Sequence, residues 1–320
     1  MLFKFSKTST HEKKQNLIEQ ACAQVKGFSA FYQKLSKIIV LSGKSPSTLK
    51  SYCSHLAKLS LHFGQIPTEI DPDQINDYLY QVKVEHNTPS DSYFKFTVYG
   101  LRFAYRAAGM KDKRIELPSI KHDKKLPVVL SREEVKRLLT APKLLKHRIA
   151  LGLLYGCGLR CFELRSLKLS HLDFDRKQLL VYQGKGKKDR YVPLSDMLIR
   201  GLKSYIEAEQ PQRWLFNGKE QEITLQAGGD FDSRYSQRGL QWAVNKAAKD
   251  AKIQKEVSVH TLRHTYATHL LEEGLDIMSI KDLLGHACID TTLVYLHVAQ
   301  SGRVKPFSPL DRLYPNTDKK

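Results

Sequence analysis

VSVHTLRHTYATHLL, residues 257–271, packs three histidines (His260, His264, His269) and Arg263 into ten residues. Leu262, Tyr266 and Leu270 recur every four positions, which predicts a helix with one buried face. His260 and His264 stand at i and i+4 and so share a helix face, as zinc ligands do. A zinc hydrolase of the HExxH kind needs a glutamate between them; here the intervening residues are Thr261, Leu262 and Arg263. An arginine beside a divalent cation is electrostatically unfavourable, and Cys157 and Cys161 add no supporting spacing, so no metal site and no cofactor are expected. His260 and Arg263, at i and i+3 near a helix start, place an imidazole beside a guanidinium close to backbone N–H groups. Such a pair offers a fork for phosphate oxygens and a group that relays protons near neutral pH. Alone, it does not decide between phosphate chemistry and an ordinary helix. His269 reads as a capping, packing or solvent-facing residue, and His264 is left open.

Three other segments bear on the choice. GCGLRCFELRSL (residues 156–167) sets Arg160 just past a glycine-rich helix break, with Glu163 three residues on. There an arginine can point into a cleft with a carboxylate to orient it, or simply form a surface ion pair. QGKGKKDRYVPL (residues 183–194) sets Lys185 between two glycines at a hairpin tip, where it is either a mobile cleft residue or part of a solvated turn. Lys187, Lys188 and Arg190 beside it are candidates for contact with a nucleic-acid backbone. LLGHACIDTTLVYLH (residues 283–297) sets His286 after a glycine helix stop and Tyr295 nine residues later. A tyrosine in an apolar helix is ordinarily core.

The whole chain sets the context. Its 320 residues exceed what one core usually supports, and 52 Lys+Arg against 33 Asp+Glu give a formal charge of +19, spread over both halves. Nucleic acid is the expected partner, because neutralising phosphates releases counterions. No apolar run approaches the roughly 18 residues of a membrane span, so no membrane role and a cytoplasmic location are expected. Five cysteines without a CxxC pair fit reduced thiols rather than a disulfide framework. Residues 1–26 read as a frayed arm or first helix, and residues 42–64 as a helix stopped by Gly64. In residues 92–109, Phe96, Tyr99 and Phe103 form a stripe to bury, with Lys95, Arg102 and Arg106 beside it to face DNA. Strand periodicity is confined to residues 171–195, which predict a three-stranded meander. Ser131 with Glu134 resembles a capping box, and Asp290 an N-cap. The expected division is a helical DNA-binding domain at 1–117, a linker at 118–130, a catalytic domain at 131–298 and a tail at 299–320. The fold class is mainly α with a small antiparallel sheet.

Taken in order, the segments GLRCFEL, GKGKKDR, HTLRHTYATHLL, LLGH and TTLVYLH resemble the motif boxes of the tyrosine recombinases, the phage-integrase and Xer-type family, from about residue 126 to 298. SPSTLKSYCSHLAKL is similar to that family's helical core-binding domain. The resemblance implies two domains clamping duplex DNA at an inverted-repeat recombination site. It also implies a nucleophilic Tyr295 that forms a 3′-phosphotyrosyl link without ATP or metal. Arg160 and Arg263 would hold the non-bridging oxygens, with His286 adding a donor. Lys185 would protonate the leaving oxygen, His260 would assist proton transfer at Tyr295, and Glu163 would support the site. It further implies a tetrameric synapse of identical protomers on DNA, with scope for a partner recombinase or a DNA-bending protein. Phe307, Leu310 and Leu313 would anchor the tail on a neighbouring protomer. The competing expectations are a type IB topoisomerase-like relaxing enzyme and a non-catalytic basic DNA-binding protein.

Overall fold

The computed structural model describes residues 16–43, 45–85, 91–110, 126–182, 189–218, 224–225 and 231–299. The chain divides into two compact units between residues 123 and 124. Lys185, Lys187 and Lys188, the linker up to residue 125 and the tail beyond residue 299 lie outside the described residues; residues 126–130 carry no regular element. No helix among the described residues is long and apolar enough to cross a membrane.

The first unit is helical: α1 (Leu17–Gln24), α2 (Phe28–Leu41), α3 (Pro46–Phe63), α4 (Pro72–Glu85) and α5 (Asp91–Ala107). α3 starts where Ser45 accepts from the Thr48 N–H and Pro46 occupies the first turn, and it stops at Gly64, which adopts φ +69°. α2 carries no sequence signal used above. Its N-cap, Gly27, has no side chain to supply a cap bond. On α5 the buried face is Phe94, Val98, Leu101, Ala104 and Tyr105, whereas Phe96 and Tyr99 are 41% and 44% exposed. Two of the three residues expected to bury are therefore turned outward, while Phe103 is half-buried against the core. The residues at i and i+3 or i+4 from Phe94 make a longer apolar row than the aromatic three, and burial follows area. Arg102 and Arg106 are exposed and Lys95 is half-buried. Tyr52, Tyr99, Arg102, Phe103 and Arg106 line a cleft of about 160 Å³.

The second unit runs α6 (Arg132–Thr140), α7 (Leu145–Gly156), α8 (Cys161–Arg165), β1 (Leu172–Asp173), β2 (Gln178–Val181), β3 (Arg190–Pro193), α9 (Asp196–Glu209), β4 (Thr224–Leu225), β5 (Phe231–Asp232), α10 (Gln237–Asp250), α11 (Val259–Glu272), α12 (Ile277–Leu284) and α13 (Asp290–Leu293). The antiparallel meander β1-β2-β3 pairs Leu179 with Val192 and Leu180 with Tyr191. Its alternation buries Leu179, Val181 and Val192 and leaves Tyr191 exposed. Ser131 and Glu134 form the reciprocal capping box that opens α6. α13 continues into a 3₁₀ turn, Val294–His297. Asp290 is not an N-cap: it is the first residue of α13, and its carboxylate accepts from Cys288 Sγ at 3.2 Å.

α11 is the central helix. Val259, Thr261–Arg263 and Thr265–His269 are all buried, more than the single face the period of four indicates. Small threonines and an alanine let neighbours close around it. Thr265 Oγ1 donates to the Thr261 carbonyl and accepts from the Leu130 N–H, whereas the buried Tyr266 and Thr268 hydroxyls meet no hydrogen-bond partner among the described residues. His269 donates from Nε2 to the Leu130 carbonyl at 3.0 Å, which leaves Nδ1 to accept from the Tyr155 hydroxyl at 3.0 Å. His269 thus ties α7, α11 and the chain leading into α6 together, and both ring nitrogens are used.

Candidate active site

The helix break at residues 156–161 builds the floor of the site. Gly158 adopts φ +59°, and a methyl there would stand 2.4 Å from Tyr266 Cδ1. Only glycine lets the chain turn under the Tyr266 ring and aim its carbonyl at Arg263, whose Nη1 donates to it at 2.6 Å. Gly158→Ala is therefore expected to cost roughly 3 kcal/mol from left-handed strain and overpacking. A melting curve should drop by roughly 6–12 °C; an unchanged midpoint would show that the turn has slack.

Past the break, Arg160 sits at the N-cap of α8 and Glu163 at its third position. The Glu163 carboxylate accepts from the Arg160 backbone N–H at 2.8 Å and from Arg160 Nη1 at 2.7 Å. It also accepts from Arg190 Nη1 at 3.0 Å and Nη2 at 2.8 Å, and Arg263 Nη1 stands 3.9 Å away. Its side chain is 3% exposed. One buried carboxylate thus serves two bonded arginines and faces a third. Burial alone would raise its pKa, but the Arg190 and Arg160 guanidiniums more than offset that and hold it at about 2.

The other ends of the two candidate arginines reach the end of α12. Arg160 Nη2 donates to the Gly285 carbonyl at 3.1 Å, and Arg263 Nη2 to the Leu284 carbonyl at 2.6 Å. These are the open C-terminal carbonyls of a helix, which favour cations. Burial, then the neighbouring Arg160 charge, lowers Arg263 to about 10, still protonated at neutral pH. His286 follows directly, its Nδ1 2.9 Å from the hydroxyl of buried Thr292. Burial, then the charges of Arg263 and Arg160, lowers His286 to about 4.

Tyr295 is 1% exposed, packed with Tyr266, Ala267, Ile280 and Leu284. Its hydroxyl lies 3.1 Å from Nδ1 of His264. Burial raises the phenol pKa, and the positive fields of Arg263 and Arg160 oppose that rise. His264 is lowered to about 4, by burial, His260 and Arg263 in that order, and so is neutral and able to accept the phenol proton. His260 is exposed, one turn earlier on α11. A neutral buried histidine has a folded pKa below its unfolded value of 6.5, so the unfolded chain binds more protons between the two. The stability that His264 and His286 contribute is thus complete above about pH 6.5 and lost on descent towards about pH 4. Urea midpoints should be flat from pH 7 to 8 and fall between pH 6.5 and 4; a midpoint that rises on acidification contradicts the neutral assignment.

The structure therefore brings Arg160, Arg263, His286, Tyr295 and Glu163 together, while Lys185 lies outside the described residues. Two residues stand elsewhere than expected. The partner of the Tyr295 hydroxyl is His264, which the sequence leaves without a role, and not His260, which is expected to assist proton transfer there. Arg190, expected to touch a DNA backbone, is only 10% exposed in its side chain and is committed to Glu163 and to the Leu283 carbonyl. Strand alternation carries the signal for it, since Arg190 shares the inward side of β3 with buried Val192.

A family model described as the phage integrase family matches residues 128–301. Tyrosine recombinase XerA of Thermococcus kodakarensis is 34% identical over 260 residues, which are 81% of this chain and 87% of that protein. Tyrosine recombinase XerD of Staphylococcus aureus is 39% identical over 211 residues, 64% of this chain and 69% of its own. Among solved structures, the XerH site-specific recombinase bound to its difH substrate superposes with a TM-score of 0.63 at 19% identity, covering 88% of this chain and 90% of that one. That last likeness is one of fold.

Proposed function

The chain belongs to the phage integrase family of tyrosine recombinases, enzymes of DNA strand transfer, and from that premise we propose that its second unit performs site-specific recombination through Tyr295. The observation that carries the assignment is the Glu163 hub: one carboxylate and the end of α12 hold Arg160 and Arg263 beside His286 and Tyr295. The Tyr295 oxygen attacks the scissile phosphorus and forms an O–P bond. The P–O5′ bond breaks, and the departing oxygen takes a proton to become a 5′-hydroxyl. A 5′-hydroxyl from another strand then reverses the step and frees the tyrosine, so bond energy is conserved throughout. Arg160 and Arg263 balance the charge that builds on the non-bridging oxygens, where preorganised donors contribute most. His264 is placed to take the phenol proton, and His286 to donate to the phosphoryl group. Lys185, near the tip of the β2–β3 connection in sequence, is assigned the leaving-group proton. Because Tyr295 is buried, DNA binding has to draw the Asp290–His297 segment towards the phosphate.

The helical unit is assigned to DNA binding through Lys95, Arg102 and Arg106; the exposure of the last two beside Tyr99 supports it. Duplex DNA with inverted repeats, a tetrameric synapse and a tail that docks on a neighbour complete the proposal. The test is a nicked duplex carrying sites flanking the gene, incubated with the protein in EDTA. A protein–DNA adduct that survives detergent, with its peptide mapped to Tyr295, supports the assignment. An adduct mapped to any other residue, or tight binding to a bona fide site without an adduct, refutes it.

A further inference from the structure

Among the described residues the Arg160 side chain has two partners, Glu163 and the Gly285 carbonyl, and both are framed by a single residue that the reaction scheme does not use. Arg190 grips both oxygens of Glu163 in a two-point fork, at 3.0 and 2.8 Å. Its Nε donates to the Leu283 carbonyl at 2.7 Å. The same guanidinium approaches Gly285 closely: a methyl on that glycine would stand 3.1 Å from Arg190 Nη1 and 3.4 Å from Cζ. Gly285 has φ +63°, so its conformation and its bare face are both required for this contact.

We propose that Arg190 is a positioning residue of strand transfer, which fixes Glu163 and the Gly285 turn and thereby aims Arg160 at the scissile phosphate. The inference rests on the phosphotyrosyl reading above. A carboxylate bonded only to Arg160 could rotate with it; a carboxylate held from the far side by a planar fork cannot. Arg190 also opens β3, so the strand that follows the Lys185 segment is pinned to the end of α12, where His286 begins. A role in gripping DNA does not fit, since the fork is spent on Glu163 and the third donor on a carbonyl. Charge alone does not explain it either, because a lysine would supply the charge without the fork.

The test measures single-turnover cleavage of the nicked duplex by Arg190→Gln and Arg190→Lys at saturating protein. The same reaction is run on a duplex with a neutral methylphosphonate at the scissile position, and DNA affinity and melting are measured in parallel. Arg190→Gln should lose about 10- to 100-fold in cleavage rate, the scale on which removing the partner that orients a metal-binding side chain costs activity in metal sites. Its affinity for DNA should be unchanged, and Arg190→Lys should recover part of the rate. The defect should shrink on the methylphosphonate, which lacks the charge that Arg160 balances. A purely structural residue would slow both substrates equally, and that result overturns the proposal, as does an unchanged rate on the native phosphate. Weakened affinity with a normal rate overturns it too and restores a DNA contact. Should Arg190→Gln fail to melt cooperatively, Arg190→Lys alone decides by the same comparison of substrates. A parent protein that forms no adduct refutes the enzymatic reading and the inference with it; a reacting parent beside an equally fast variant refutes only the inference.

Discussion

Tyr295→Phe should bind recombination-site DNA as the parent does and form no covalent adduct, a loss on the order of 10⁶-fold, the scale on which removing an attacking group costs elsewhere. Binding should persist because phosphate contacts, not the tyrosine, position a protein on duplex DNA. The fold should persist as well: the phenyl ring keeps its packing against Tyr266, Ile280 and Leu284, and only the hydroxyl is removed. That leaves His264 Nδ1 without its partner at a cost of about 1–3 kcal/mol, well below what unfolds a unit of this size. The rival nucleophile in the same cluster is Tyr266, whose hydroxyl is buried without a hydrogen-bond partner among the described residues. Burial pushes that phenol up to about 12, and its ring is wedged over Gly158. No histidine or carboxylate among the described residues bonds to it, whereas Tyr295 has His264 at 3.1 Å. Tyr266→Phe should therefore still give the adduct. A covalent band that survives Tyr295→Phe and disappears in Tyr266→Phe would falsify the assignment.

The site was more legible in the sequence than the surfaces around it, and the reason is physical. Arg160, Glu163 and His286 sit beside the helix breaks and stops at Gly156, Gly158 and Gly285, which leave marks that local rules can read, whereas Arg263 and Tyr295 look like ordinary helix residues and stand out only through the ordered resemblance of the motifs. The meander at residues 172–193 was equally legible, because inward and outward positions alternate strictly. Position along one helix face was harder. Phe96 and Tyr99 look like core by residue type, yet α5 turns them outward, because Phe94, Val98 and Leu101 offer a longer continuous row to α3. His264 and Arg190 were missed for a different reason. Each gains its role from a partner far away in sequence, Tyr295 for one and Glu163 for the other. No spacing rule joins residues 163 and 190, although the parity of β3 did mark Arg190 as inward. α2 begins at a glycine that supplies no cap bond, so no boundary signal announces it.

Glu163→Gln should be the most destabilising conservative change in the second unit, by about 3–5 kcal/mol at neutral pH, because it strips the counter-charge from arginines that cannot leave. Arg190 is 10% exposed and Arg263 5%, so neither can turn to water without breaking its bonds to the Leu283, Gly158 and Leu284 carbonyls. The amide also turns one acceptor into a donor that faces Arg190 or Arg160. The pH dependence separates this cause from loss of packing. Glu163 has its folded pKa depressed to about 2 from an ordinary 4.5, so its contribution is present above the ordinary value and lost as pH falls through the folded one. The span between the two corresponds to about 3 kcal/mol at 1.36 kcal/mol per unit. The difference in urea stability between parent and Glu163→Gln should therefore be constant from pH 8 down to about 5 and then narrow steadily as the medium is made more acid. Titration of His264 and His286 lowers both proteins alike over the higher part of that range and cancels in the difference. A gap that stays the same at every pH would mean that Glu163 acts by shape alone, and the three arginines would then need another counter-charge. Asp at the same position keeps the charge but shortens the reach by one methylene. Glu163→Asp should regain most of the pH-dependent part of the gap while leaving Arg160 slack, so stability recovers further than the rate of strand cleavage does.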